Sequence, residues 1–83
     1  MVPTHIVVVE SGWVFIGSRS TENGILTLKD ASCIRRWGTS AGLGELAICG
    51  KTSDTILDPC GIVEIPVTAL LFSIVVDPTK WGG

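Results

Sequence analysis

Arg35-Arg36-Trp37 is the segment best equipped for chemistry. Guanidinium groups bind phosphate through paired N–H donors, and an indole face can stack on a base. The same residues also suit a structural role, with Trp37 in a core or interface and one arginine bridging to a carboxylate. Thr39 to Gly44, TSAGLG, could turn backbone N–H groups toward an anion at a helix start. It lacks the spacing and the lysine of a phosphate loop. His5, the one histidine, stands in an apolar run with no serine, cysteine or carboxylate beside it. No nucleophile is paired with a base, so the expectation is a binding protein and not an enzyme. Cys33, Cys49 and Cys60 are odd in number and carry no C-x-x-C spacing, so neither a metal nor a cofactor is expected. Buried thiols in a reducing compartment are the simpler reading, and a Cys49–Cys60 disulfide is the alternative.

The elements that must position these groups are short. Eighty-three residues make one domain, with a core over about 5–76 and a tail over 77–83. Apolar residues are 46% of the chain, with ten glycines besides. Counted together they reach about 58%, above the usual ~45–50%. So small a chain has little interior for that surplus, and part of it is expected in subunit contacts. Six Lys and Arg against a net charge of -2 argue against general coating of a phosphate backbone. The first apolar run stops at Glu10 and Ser11, and Ile62–Val76 is broken by Glu64, Pro66, Thr68 and Ser73. Neither a secretory leader nor a membrane span is expected, which makes the cytoplasm the expected compartment.

Strands are expected at His5–Glu10, Trp13–Ser18 and from Ile25 onward. Gly12 and Asn23-Gly24 mark the turns between them. The all-apolar first strand predicts burial on both faces. Gly17 marks a bend or bulge. Asp30-Ala31-Ser32 interrupts the third strand, which either kinks and continues or turns into another. A helix is expected over Ala41–Cys49, with Ser40 as cap, Gly50 as stop, and Leu43, Leu46 and Ala47 on one face. Lys51 to Gly61 reads as a loop, Ile62–Ile65 as the fourth strand and Ala69–Val76 as the fifth. Trp81 is conspicuous in the tail, since a terminal tryptophan usually docks on something.

Two segments resemble the Sm-like family: VVVESGWVFIGSRSTENGILTLKDAS at 7–32 and VEIPVTALLFSIVV at 63–76. The chain is also similar to small phage-type proteins of that kind through Leu28-Lys29-Asp30-Ala31, Ile34, Trp37 and Leu43-Gly44-Glu45-Leu46-Ala47. The likeness spans roughly residues 5 to 76. It implies a mainly β fold, a small, strongly bent, five-stranded antiparallel Sm-like or SH3-type barrel, here with one short internal helix. It also implies a homo-oligomeric ring, pentamer to heptamer, closed by the fourth strand of one copy on the fifth of the next. Ile62, Val63, Phe72, Ile74 and Trp81 are the expected interface residues. Arg19 and Asn23 fall at the turn that faces the pore in such rings. With Arg35, Arg36 and Trp37 they form the expected set for RNA or a small nucleotide. No Arg-Gly pair occurs, and Ser20–Gly24 retains only the asparagine of the Sm uridine-binding loops. A phage-encoded chain would work in the host cytoplasm. The alternative is a structural or protein-interaction module, such as a virion or assembly component, without a nucleic-acid ligand.

Overall fold

A computed structural model gives the fold and describes residues 3–81. The strands are β1 (His5–Val9), β2 (Val14–Glu22), β3 (Ile25–Arg36), β4 (Ile56–Pro66) and β5 (Leu70–Val75). Helix α1 (Leu43–Cys49) lies between β3 and β4, and α2 (Pro78–Trp81) follows β5. A 3₁₀ turn, Val67–Ala69, joins β4 to β5. All pairings are antiparallel, in one sheet of order β4-β3-β2-β1-β5. The expected five antiparallel strands are present in a single open sheet, in which β4 and β5 are the outer strands.

Burial on both faces of β1 follows from its composition. Alternation sends Ile6 and Val8 into one apolar cluster and Val7 and Val9 into another. The first cluster is covered by Leu43, Leu46 and Ala47 of α1, with Trp81 packed against it. The second collects Leu26, Leu28 and Ala31 of β3 and Ile65 of β4. Each fully buried aliphatic side chain contributes about 1.5–3 kcal/mol.

Four register shifts bend the long strands, and the one between Ala31 and Ser32 adjoins the kink at Asp30. One lies between Ile16 and Ser18, at Gly17. A Cβ on Gly17 would stand 3.1 Å from the Lys29 carbonyl oxygen and 3.2 Å from Ala31 Cα, so a larger residue would push β3 back by a few tenths of an ångström at this close crossing. A second spans Asp30, whose φ of 52° turns β3 before it continues. A third falls between Ile34 and Arg36, leaving Arg35 as the extra residue against β4. Asn23-Gly24 turns the β2–β3 hairpin with φ of 52° and 79°. The Gly24 carbonyl accepts from Val67 N–H at 2.9 Å, and Ala69 O accepts from Glu10 N–H at 2.9 Å. These two bonds fold the β4–β5 corner back over the meander.

Several boundaries differ from the sequence expectation. β2 runs to Glu22, taking in residues read as a polar turn, while Trp13 lies outside it. α1 starts at Leu43, and Gly42 occupies the cap position. Ser40 does not cap, because its hydroxyl is spent on Glu45 Oε1, which also accepts from Ala41 N–H at 3.1 Å. β4 begins at Ile56, so most of the expected loop is strand. The tail forms α2, whose Asp77 carboxylate accepts from Thr79 N–H at 3.0 Å and Thr79 Oγ1 at 2.7 Å. Gly82 and Gly83, the rest of the expected tail, lie outside the described residues.

Candidate ligand groove and strand edges

The expected ligand residues do not converge. Asn23 sits at the tip of the β2–β3 hairpin, while Arg35, Arg36 and Trp37 lie at the far end of β3. At roughly 3.3 Å per residue those ends are about 35–40 Å apart along the strand, less the bends. Arg19 is tied inward: its guanidinium donates to Ser73 Oγ on β5 and to Thr21 Oγ1, and its backbone N–H donates to Thr4 Oγ1. It acts as a brace across the sheet. Burial and the nearby Arg19 charge hold the His5 imidazole below its ordinary 6.5.

At the other end of β3, Arg35 meets Asp58 of β4. Arg35 Nε donates to Asp58 Oδ2 at 2.8 Å and Nη2 to Oδ1 at 3.4 Å. The structural alternative for the Arg-Arg-Trp segment, an arginine bridged to an acid, is therefore realised at Arg35. Arg36 is exposed, and its side chain has no ion-pair or hydrogen-bond partner among the described residues. Trp37 is 43% exposed and lies against Gly42.

The Arg35–Asp58 pair borders an open groove of about 400 Å³ that Gly12, Trp13, Val14 and Cys33 also line. Trp13 is 58% exposed. Its ring lies nearly parallel to Phe15, with centroids 6.3 Å apart and planes 12° apart. Burial pushes the Cys33 thiol up, Cys60 and Asp58 push it the same way, and the Arg35 charge opposes them. Cys33 is buried as expected, whereas Cys49 and Cys60 are exposed, and all three are free thiols. The Cys49–Cys60 disulfide is thus absent. No group of three or more metal-ligating side chains occurs among the described residues. No described helix is long and apolar enough to cross a membrane.

Sequence reasoning missed Trp13 and Asp58. A tryptophan directly after the Ser11-Gly12 turn was the available signal for the first. Asp58 was hidden because its segment reads as a loop.

The residues expected at an interface divide into two groups. Ile62 is 67% exposed and Phe72 is 50% exposed, on β4 and β5. Val63 and Ile74 turn toward the two cores. Trp81 docks on its own chain: it packs against the first core, and its indole N–H donates to the Leu46 carbonyl at 3.0 Å. Leu71 and Val75 add exposed apolar surface to β5. No protein-family profile and no curated protein matches the chain.

Proposed function

We propose that this chain is a non-enzymatic subunit of an Sm-like homo-oligomeric ring, joined copy to copy by β4 against β5, and that the ring binds RNA or a small nucleotide. The observation that carries the reading is the strand order. It leaves β4 and β5 at opposite ends of one sheet, each with an edge that is unpaired among the described residues. Ile62 stands exposed on β4, and Leu71, Phe72 and Val75 on β5. An apolar edge invites another strand, and natural proteins normally blunt or cover it. Pro59 and Pro66 within β4 suit an edge, since neither can donate to a ladder. Two different edges meeting head to tail give a heterologous contact, which closes into a ring when the rotation allows. Bringing β4 onto a neighbour's β5 also supplies the closure that one open sheet lacks.

Light scattering after size exclusion tests this directly. The expected mass is about five to seven times 8.8 kDa. Replacing the exposed Ile62 by Asp should lower the mass while leaving the circular dichroism unchanged. A wild-type monomer overturns the ring and favours the rival reading, a module whose exposed strands dock a different protein.

A further inference from the structure

We infer that the groove between Trp13 and the Arg35–Asp58 pair is a binding site for a neutral, flat heterocycle with a lactam edge, guanine being the best fit. This rests on the nucleotide-binding part of the reading above and not on the ring. It places the ligand at residues other than the hairpin tip.

Three observations select the ligand. The first is a prepared stacking surface. Phe15 lies near-parallel to Trp13 with the ring centroids 6.3 Å apart, and the indole lines the groove while 58% exposed. A fixed ring loses little freedom when a second ring lies on it. The second is charge. Arg35 and Asp58 cancel each other at 2.8 Å. A cation placed there would meet the guanidinium and an anion would meet the carboxylate, so a neutral ligand is favoured. The third is the hydrogen-bond pattern. Arg35 spends Nε–H and one Nη2 N–H on the carboxylate, which leaves the other Nη2 N–H and both N–H groups of Nη1 for an acceptor. Each Asp58 oxygen takes one bond from Arg35 and retains a lone pair for a donor. A ledge that donates beside a site that accepts matches a ring carbonyl beside a ring N–H. Guanine carries that pair, with its ring N–H on the outward lone pair of one carboxylate oxygen, and its double ring offers Trp13 the wider stacking face. Adenine and cytosine lack the ring N–H. Uracil has it on a smaller ring.

The groove volume of about 400 Å³ lies within the range of small-molecule sites. Cys33 lines one wall of the groove. A Cβ at Gly12 would meet nothing within 4 Å, so the groove mouth is open beside the turn. Through that opening the sugar and phosphate of a nucleotide can leave the site.

The test is titration of the full chain with guanosine monophosphate, read by calorimetry and by amide and indole chemical shifts. Adenosine monophosphate and a short guanine-containing RNA serve as the other arms. The expected result is that guanosine monophosphate binds roughly tenfold more tightly than adenosine monophosphate, with shifts at the Trp13 indole and around Asp58. Trp13→Ala and Asp58→Asn should each weaken it roughly tenfold or more, the loss expected for one stacking or paired contact. The wild-type shifts locate the site even if a variant misfolds. RNA binding that both variants weaken, without binding of the mononucleotide, assigns the base to an RNA strand and supports the site. RNA binding that neither variant weakens, with no shift at Trp13, overturns the site and leaves the broader nucleotide reading standing. No binding of either probe overturns both.

Discussion

At the scale of single residues, Gly38 carries a heavy constraint. Its φ is +67°, and an added Cβ would stand 2.5 Å from Asp54 C and 2.6 Å from Thr55 N. Both are backbone atoms, so neither can step aside cheaply. The approach is held by Thr52 Oγ1, which donates to the Gly38 carbonyl at 2.7 Å, and by Thr55 Oγ1, which donates to the Trp37 carbonyl at 2.7 Å. Gly38→Ala should therefore cost about 1–3 kcal/mol, read as a lower urea midpoint at unchanged slope. Asp77 makes a different prediction. The side-chain and backbone hydrogen bonds from Thr79 hold its carboxyl below the ordinary 3.8. Its contribution is therefore complete above 3.8, where the unfolded chain has also ionised. It is lost as pH falls through the lower folded value. Acid below about pH 3.8 should loosen α2 and release Trp81 from Leu46. Trp81 fluorescence in a Trp13→Phe, Trp37→Phe background should report that release, and Asp77→Ala should flatten the profile. Neither device was legible in sequence beyond the bare presence of a glycine and an Asp-Pro pair. Each depends on which backbone groups the fold brings within reach.

At the scale of elements, the face of α1 was legible and its start was not. The i, i+3, i+4 spacing of Leu43, Leu46 and Ala47 put all three in the core. The boundary shifted because Glu45 draws the Ser40 hydroxyl away from the helix end. Leu46 is fully buried, so Leu46→Ala should cost about 2–5 kcal/mol in chemical denaturation. Ile48, on the outer face and largely exposed, should tolerate the same change with little loss. β4 illustrates the opposite failure. Asp58-Pro59-Cys60-Gly61 carries turn residues, and local preference reads it as a loop. An edge strand accepts proline, and Gly61 with φ +78° sits where the β3 register slips. Long-range pairing with β3 outweighs local preference there. That misreading also concealed Asp58, and with it the partner of Arg35.

At the scale of the whole molecule, the meander was legible from alternation and turns, and so was the apolar surplus on the outer strands. The groove was not. It is assembled from the turn before β2, the end of β3 and the start of β4, and only the register brings those residues together. If the proposed ring forms, dilution should dissociate it, and scattering mass should fall with concentration by mass action. Ile62→Asp should shift that dissociation to higher protein concentration. The position of β1 has a kinetic consequence. Its neighbour on one side is the adjacent β2, and on the other it is β5, with His5 opposite Val75 about 70 residues along. Synthesis runs from the N-terminus, so the β1–β2–β3 hairpins can form before β5 has been made. During that interval β1 presents a bare template, and a second nascent chain's β5 is as good a match as its own. Strand exchange between copies is thus the fault built into this topology, and crowded synthesis is the condition that would reveal it.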